Sequence, residues 1–245
     1  MNDSVSRETP PAPTSARGVF SLRLPLAERY CELLATEGVV RGLIGPREAP
    51  RLWERHLLNC AVLGEAIDAD LSVADIGSGA GLPGLVLAIA RPDLRITLIE
   101  PLLRRTTFLE EVVEELGLDH VEVVRGRAEE VHGRREFDVV TSRAVAPLGR
   151  LLAWSMPLVR QGGHLVAMKG SSVTEEIESS AKELARFGGG RVVVREVGGE
   201  ILDPPTTVLT VEATHPSGLG WEPPPPRGSD TTPGPARPRR KGRRK

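Results

Sequence analysis

The chain of 245 residues, 40% hydrophobic and 27% charged, is long enough for one α/β domain with a substantial core. Aromatic residues make up only 3% of it, which argues against a protein that binds single-stranded nucleic acid mainly by stacking bases on rings. The net charge of −1 hides an uneven distribution: residues 227–245 carry eight Lys or Arg and one acid (+7), and the remainder carries 24 basic and 32 acidic residues (−8), so the tail indicates a polyanionic partner.

The chain begins with residues 1–19, which are rich in Pro, Ser and Thr and are predicted to form a disordered leader. This segment lacks the charged and apolar regions of a signal peptide. No apolar run in the sequence approaches the roughly 18–20 residues that span a membrane. We therefore expect a soluble, cytoplasmic protein that makes no membrane contact.

Apolar periodicity predicts two helices next, Leu26–Glu37 and Pro46–Ala66. Strands and helices then alternate strictly, which predicts an α/β fold with a mostly parallel, seven-stranded sheet and helices on both faces. The strands are predicted at Ser72–Ile76, Arg95–Glu100, Val121–Arg125, Phe137–Thr141, Gly163–Lys169, Val192–Glu196 and Thr207–Ala213, and helices between them at Pro83–Arg91, Leu103–Leu116, Pro147–Val159 and Thr174–Phe187.

The end of the chain, residues 215–245, is rich in proline and then in arginine and lysine, and is predicted to be a disordered, extended tail. The ordered domain is therefore expected at residues 20–214. It divides into a helical cap at residues 20–70 and a Rossmann-like core at residues 71–214.

A glycine-rich loop, Asp75-Ile-Gly77-Ser-Gly79-Ala-Gly81-Leu-Pro-Gly84, follows the first predicted strand. The glycines permit a tight turn and the close approach of a ligand. Their spacing is tighter than the Gly-x-Gly-x-x-Gly of dinucleotide sites, which favours S-adenosylmethionine over NAD or FAD. Asp75 is expected to organise the loop and to meet the amino-acid part of the ligand through water. A purely structural turn is the alternative.

Glu100 ends the second predicted strand, 23 residues after Gly77. A carboxylate at this position accepts hydrogen bonds from two ribose hydroxyls, in NAD as well as in S-adenosylmethionine. After the third strand, Ala128 and Glu129 are placed where an adenine edge would lie. The alternative for these two residues is a helix start with acidic residues in its first turn.

Two cations follow the next strands, Arg143 in Ser142-Arg143-Ala144 and Lys169 in Lys169-Gly170-Ser171. Both are expected at the same edge of the sheet as the cofactor. The phosphates of a nucleic acid are natural partners for them, although an anionic small molecule or solvent would also serve.

Trp53, His56 and Asn59 share one face of the second predicted helix. They are candidates for stacking on a base or hydrogen bonding to it, and packing in the core is the alternative. The five histidines and two cysteines suggest no catalytic triad, metal cluster or disulfide framework. Methyl transfer to a ring nitrogen with a free lone pair needs no general base and can depend on alignment alone.

Taken together, these motifs resemble one family closely, the 16S rRNA (guanine-N7)-methyltransferases, also called glucose-inhibited division protein B. The resemblance covers about residues 25–213. It is carried by Trp53-x-x-His56-x-x-Asn59, the loop Asp75–Gly84, Arg104-Arg105-x-x-Phe108-Leu109, Arg127-Ala-Glu129-Glu130, Ser142-Arg143-Ala144 and Lys169-Gly170.

The resemblance implies a Rossmann-like class I methyltransferase that uses S-adenosylmethionine to methylate N7 of the guanine usually numbered 527 in 16S rRNA. Loss of this activity in the family is associated with low-level streptomycin resistance. The expected cofactor-binding residues are Asp75, Gly77, Gly79, Gly81, Leu82, Glu100, Ala128, Glu129 and Arg143, and the expected catalytic residues are Arg143, Lys169 and His56, with no metal.

The expected partner is 16S rRNA, the small ribosomal subunit or an assembly intermediate of it, bound by a monomer. The chain departs from the family at Asn59-Cys60, where Asp-Ser is more frequent, and we assign no catalytic role to that position. Three alternatives stay open: a methyltransferase of another RNA or of a small molecule, an NAD-dependent oxidoreductase, and a non-catalytic RNA-binding protein that acts through its tail.

Overall fold

A computed structural model describes residues 11–143 and 146–214. Within these ranges, seven strands form one sheet in the spatial order third, second, first, fourth, fifth, seventh and sixth. The strands are β1 (Ser72–Ile76), β2 (Arg95–Glu100), β3 (Val121–Arg125), β4 (Phe137–Arg143), β5 (Val159–Lys169), β6 (Gly189–Val197) and β7 (Thr206–Ala213). The predicted α/β class is confirmed.

The first five strands are parallel, and β7 runs antiparallel to both of its neighbours, β5 and β6. Asp75 on β1 lies opposite Leu98 on β2 and Thr141 on β4. The strand order therefore reverses between β1 and β4, beside the carboxyl end of β1. Ligands of open α/β sheets bind at such reversal points, so the glycine loop lies where a cofactor is expected.

Helices cover both faces of the sheet. On β1, Val73 packs into a core that holds residues of the N-terminal helices, whereas the next residue, Ala74, packs on the opposite face. The helices are α1 (Thr14–Phe20), α2 (Leu24–Leu33), α3 (Asn59–Ala61), α4 (Gly84–Ala90), α5 (Leu103–Leu116), α6 (Ala128–Val131), α7 (Leu148–Ser155), α8 (Val173–Ser179) and α9 (Ala181–Arg186).

The first helix, α1, corrects the prediction of a disordered leader that extends to residue 19. Ala16 and Phe20 lie one turn apart on the same face of α1, and both are buried. The ring of Phe20 packs edge-on against that of Trp53, with 6.3 Å between centroids. An apolar pair at this spacing can anchor a helix even when polar residues and prolines surround it.

Several other boundaries also differ from the prediction, most of them by one to four residues, and the three main differences are in the second and last predicted helices and at the start of β5. The second predicted helix, Pro46–Ala66, is a π-helical segment (Leu52–Leu58) that continues into α3, with 3-10 segments before and after them at Ala49–Arg51 and Val62–Ala66. The predicted helix Thr174–Phe187 is interrupted at Ser180, which separates α8 from α9. Strand β5 begins at Val159, which pairs with Phe137 on β4, so the preceding helix is shorter than predicted.

Residues 1–10 and 215–245 lie outside the described residues, and with them the predicted tail and most of the predicted leader. Among the residues that are described, no helix is both long and apolar enough to cross a membrane. In the same part of the chain, no three His, Cys, Asp or Glu side chains group as ligands of a metal ion.

Candidate functional site

Asp75 lies near the end of β1 as a fully buried carboxylate. Its Oδ2 accepts a hydrogen bond from the backbone N–H of Gly84, the first residue of α4, at 3.0 Å, and the half-buried Leu82 belongs to the loop that this bond closes. Its Oδ1 is buried and has no partner among the described residues. Burial, above other causes, raises the pKa of Asp75 to about 7. A buried carboxylate oxygen needs a hydrogen-bond donor. An ammonium group, or a water that bridges Oδ1 to an ammonium group, would satisfy Oδ1.

Three glycines of the loop have positive φ angles: Gly77 at 68°, Gly79 at 59° and Gly81 at 100°. Residues with a side chain adopt this conformation only at a cost of about 1 kcal/mol or more. At Gly81 a Cβ would also lie 2.8 Å from the hydroxyl of Tyr30, which donates a hydrogen bond to the carbonyl of Ala80 at 2.7 Å. The loop is therefore a bare backbone surface that a ligand can approach closely.

Glu100 ends β2, and its side chain is only 1% exposed. Its Oε2 accepts a hydrogen bond from the N–H of Gly79 at 3.0 Å, and its Oε1 accepts one from the N–H of Leu102 at 3.0 Å. The guanidinium of Arg105 lies 3.3 Å from Oε2. Glu100 thus contacts the glycine loop directly. Ribose hydroxyls that bind its carboxylate, as expected from the sequence, would do so beside the N–H groups of Gly79 and Leu102 and the guanidinium of Arg105.

Ala128 and Glu129 open α6, where Ala128 is buried and Glu129 is half-buried. The parallel register puts Glu100 opposite Arg125, three residues before Ala128. The N–H of Gly126 donates to the carbonyl of Glu100 at 3.2 Å. Neighbouring strands lie about 4.8 Å apart, so the loop after β1, the carboxylate of β2 and the start of α6 lie side by side along the carboxyl edge of the sheet.

Arg143 ends β4, and its guanidinium is held by the helical segment that precedes β1. Its Nη2 lies 2.8 Å from Nδ1 of His56 and donates to the carbonyl of Arg55 at 3.2 Å. Its Nη1 donates to Sγ of Cys60 at 3.3 Å. Ala144, the last residue of the predicted motif, lies outside the described residues. Arg143 is therefore an immobilised cation at the carboxyl edge of the sheet.

Lys169 ends β5 but is not a free cation. Its side chain is 7% exposed, and its Nζ forms an ion pair with Glu176 at 2.8 Å. Glu176 also accepts hydrogen bonds from the N–H of Leu148 at 3.1 Å and the hydroxyl of Ser172 at 3.2 Å. The hydrogen bond from Lys169 is the main reason that the pKa of Glu176 is lowered. The positive charge expected at this strand end is thus balanced locally.

The structure separates the three helix residues that sequence analysis grouped together. Trp53 is buried against Phe20 and belongs to the core. Asn59 donates from its side-chain amide to the hydroxyl of Thr206, the first residue of β7, at 2.9 Å. This bond joins α3 to the far side of the sheet across 147 residues of sequence, which no local pattern indicates.

His56 is buried and contacts charged groups on both sides. Its Nε2 lies 2.9 Å from Oε2 of Glu48, and its Nδ1 lies against Arg143. Burial and the charge of Arg143 lower the pKa of His56, although Glu48 acts in the opposite direction. Among the described residues, His56 does not line the pocket beside Arg143, so it contacts a candidate functional residue rather than the pocket itself.

An open pocket of about 840 Å³ lies beside Arg143, at the ends of β4, β5 and β6 and the start of β7. In the part of the chain that is described, no residue of the glycine loop lines it. The carboxyl edge of the sheet therefore has two candidate regions, the glycine loop over β1 to β3 and the pocket over β4 to β7. The polar lining of the pocket includes Asn59, Ser142, Arg143, Lys169, Ser171 and Thr206.

Besides Glu176, which pairs with Lys169, sequence analysis missed three carboxylates of this pocket, Glu54, Glu196 and Asp203. All three are exposed, and none forms an ion pair with another described residue. Glu196 lies opposite Thr207 on β7, which lies opposite Lys169 on β5. The strand register alone brings Glu196 into a row with Lys169, so spacing along the chain carries no signal for Glu196.

Comparison with known proteins gives one consistent family. A family model described as rRNA small subunit methyltransferase G matches residues 23–201. The ribosomal RNA small subunit methyltransferase G of Nocardioides sp. is 64% identical over 222 residues, 90% of this chain and 89% of that protein. The protein of the same name from Corynebacterium efficiens is 59% identical over 217 residues, 84% of this chain and 94% of that protein.

A solved structure has a similar fold at low identity. Wild-type Trm5b from Pyrococcus abyssi superimposes with a TM-score of 0.50 and 16% identity, covering 70% of this chain and 50% of that one. At this identity the similarity concerns the fold alone.

Proposed function

The chain belongs to the rRNA small subunit methyltransferase G family, and we propose that it methylates N7 of a guanine in 16S rRNA, the one usually numbered 527. It is a methyltransferase, and S-adenosylmethionine is its methyl donor. The observation that carries the proposal is the position of Arg143. This residue ends β4, the strand beside the glycine loop, and also lines the pocket, so it stands where a cofactor and a substrate base would meet.

The chemistry of the glycine loop fits this cofactor. The unpartnered Oδ1 of Asp75 would accept a hydrogen bond from the methionine ammonium, directly or through water. Glu100 would accept from the ribose hydroxyls, and Ala128 and Glu129 would face the adenine. Gly77, Gly79, Gly81 and Leu82 would form the backbone surface under the methionine end, because the positive φ angles of the three glycines shape a tight turn whose main chain a ligand can approach.

The reaction places few demands on the protein's acid–base groups. When bound, S-adenosylmethionine would supply an electrophilic methyl group for transfer to the lone pair of guanine N7, with the electron pair of the broken C–S bond left on sulfur. Because N7 has a free lone pair, no proton leaves it and no general base is needed. The chain therefore contributes alignment and exclusion of water, for which effective concentrations are worth about 7–11 kcal/mol.

The pocket suits guanine before and after the reaction. The Watson–Crick edge of guanine presents N–H donors, and carboxylates are strong acceptors for them. Glu54, Glu196 and Asp203 provide three such groups without ion pairs among the described residues. Methylation at N7 moves the positive charge from sulfur to the purine, so these carboxylates would also stabilise the cationic product.

Binding of a large RNA is supported by charge outside the pocket. Arg51 and Arg55 are exposed at its rim, and residues 227–245 add a net charge of +7. Such groups bind phosphates without sequence preference. We propose that the protein acts as a monomer in the cytoplasm on 16S rRNA, free or within the small subunit or an assembly intermediate.

A transfer assay with isolated components tests the proposal. The protein would be incubated with S-adenosylmethionine labelled in the methyl group and with deproteinised 16S rRNA, 23S rRNA or intact small subunits. We expect label in 16S rRNA, either free or in subunits, and its recovery as 7-methylguanosine after digestion. Label only in 23S rRNA, or in another base, would contradict the proposed specificity, and a pool of small metabolites included in parallel tests the small-molecule alternative.

A further inference from the structure

Glu48, His56 and Arg143 form a chain of short hydrogen bonds. A guanidinium has only donors, so Nδ1 of His56, 2.8 Å from Nη2 of Arg143, must be the acceptor in that bond. The proton of the neutral ring is therefore on Nε2. From there it is donated to Oε2 of Glu48 at 2.9 Å. The order of donors and acceptors thus fixes one tautomer of His56.

We propose that His56 and Glu48 are positioning residues for Arg143: Glu48 selects the Nε2–H tautomer of His56, and the Nδ1 of that tautomer holds the guanidinium at the edge of the methyl-transfer site. His56 is then not itself a catalytic residue, because it lines neither the glycine loop nor the pocket in the described structure. The effect on turnover depends on the proposed function, whereas the tautomer does not.

The geometry around Glu48 supports this role. Its backbone N–H donates to the carbonyl of Gly45 at 2.8 Å, which fixes the turn that carries it. Its two carboxylate oxygens take different partners, Oε2 the ring of His56 and Oε1 the guanidinium of Arg55 at 3.2 Å. The carbonyl of Arg55 in turn accepts from Arg143. One carboxylate therefore braces both residues of the helical segment that contact Arg143 through Nη2.

The chain of hydrogen bonds requires a neutral His56. A protonated ring donates from both nitrogens, so its Nδ1–H would face a guanidinium that offers no acceptor. The charged groups that face the ring are Glu48 on one side and Arg143 on the other, with Arg55 next to it on the same helix. Burial and the charges of Arg143 and Arg55 lower the pKa of His56, and Glu48 raises it. The ring is therefore neutral and the hydrogen bonds are intact at neutral pH, and acidification breaks them.

Two variants of Glu48 distinguish its role as a hydrogen-bond acceptor from the effect of its negative charge. Glu48→Gln keeps an oxygen that can accept from Nε2–H, whereas Glu48→Ala removes it. The readouts are the tautomer and pKa of His56 from the ring-nitrogen shifts in NMR, and the turnover of methyl transfer. Glu111→Gln is a matched control, because it removes an exposed carboxylate that pairs with Arg41 away from the site.

We expect Glu48→Ala to give a mixture of His56 tautomers and to lower turnover by about tenfold to a hundredfold, the range for a misplaced group in an active site. Glu48→Gln should keep the Nε2–H tautomer, lower the pKa of His56 further and retain turnover within about threefold of wild type, a change of under 1 kcal/mol. The Glu111→Gln control should match wild type in all readouts. Wild-type turnover in Glu48→Ala, or equal losses in the two Glu48 variants, would overturn the proposal.

The failure of the positioning role and the failure of the proposed function are distinguishable. Absence of methyl transfer to RNA by the wild-type protein would refute the proposed function. The NMR measurement on the wild type and on Glu48→Ala then decides the positioning role alone, because a retained Nε2–H tautomer in Glu48→Ala would overturn it.

Discussion

The carboxylate of Asp75 accepts a hydrogen bond from the backbone N–H of Gly84 at 3.0 Å, and so ties the end of β1 to the first residue of α4. Oδ2 accepts this bond, whereas Oδ1 is buried and has no partner among the described residues. One side chain thus closes the glycine loop and also keeps an acceptor for a ligand. In the proposed cofactor site, stability and cofactor binding would make opposite demands on this carboxylate.

Asp75→Asn should stabilise the protein without ligand and weaken its affinity for S-adenosylmethionine. Burial raises the pKa of Asp75 from 3.8 to about 7, so between these values the folded state holds more protons than the unfolded state. Stability therefore falls as pH rises through this window, and the penalty is complete above about pH 7. Melting curves should show that the advantage of the variant is larger at pH 8 than at pH 5.5.

The same variant should bind S-adenosylmethionine about tenfold to a hundredfold more weakly, the value of a hydrogen bond to a charged group. Isothermal titration calorimetry measures this change. Unchanged affinity at pH 8 would remove the unpartnered oxygen of Asp75 from the cofactor site.

Gly81→Ala should abolish cofactor binding. Its φ of 100° is strained for alanine, and the new Cβ would meet the side chain of Leu85 and the hydroxyl of Tyr30. Gly133→Ala is the matched control, because its φ of 69° is also left-handed but its surroundings are open; it should lose about 1 kcal/mol of stability and keep normal affinity. Gly77→Asp should also abolish binding. Normal calorimetric affinity in either loop variant would contradict the assignment.

Glu100→Gln should weaken cofactor binding by about tenfold or more, because an amide offers one acceptor where a carboxylate offers two. The N–H groups of Gly79 and Leu102 each donate to one oxygen of Glu100. Replacing the carboxylate by an amide therefore also weakens these hydrogen bonds, including the one that holds the glycine loop. Glu122→Gln is the control: its carboxylate lies on the neighbouring strand and pairs at the surface with Arg135. Equal affinities of the two variants would show that Glu100 does not hold the ribose.

Arg143→Ala and Arg143→Lys should both lower methyl transfer by about a hundredfold, the effect of a misplaced group near the reacting atoms. A lysine keeps the charge but lacks the planar fork that reaches His56, Arg55 and Cys60 together. Both variants should stay folded, since the side chain is only half-buried, which circular dichroism would verify. Full turnover in Arg143→Lys would mean that charge alone matters at this position.

Much of the fold follows from the sequence because its signals are local. The limits of β1, β2, β3 and α5 match the prediction to the residue, since each is an apolar run or an amphipathic stretch bounded by turn residues. The helix α1 was missed because its anchor, the contact of Phe20 with Trp53, joins segments far apart. The interruption at Ser180 also has no signal in the apolar pattern of that helix.

The candidate site is only partly readable from the sequence. Motif positions bring Asp75, Glu100 and Arg143 to one edge of the sheet because parallel strands end together. Their partners follow from side-chain packing instead. Nothing in the spacing of Glu48 and His56 indicates their hydrogen bond, and the ion pair of Lys169 with Glu176 turns an expected free cation into a neutral pair.

The central claim is methylation of N7 in one guanine of 16S rRNA, and the most direct measurement is to map 7-methylguanosine in 16S rRNA from cells with and without this protein. We predict the modification at position 527 in cells that have the protein and its absence in cells that lack it. A wild-type copy should restore it, and a copy with Arg143→Ala should not. Undiminished 7-methylguanosine at this position in cells without the protein would contradict the account.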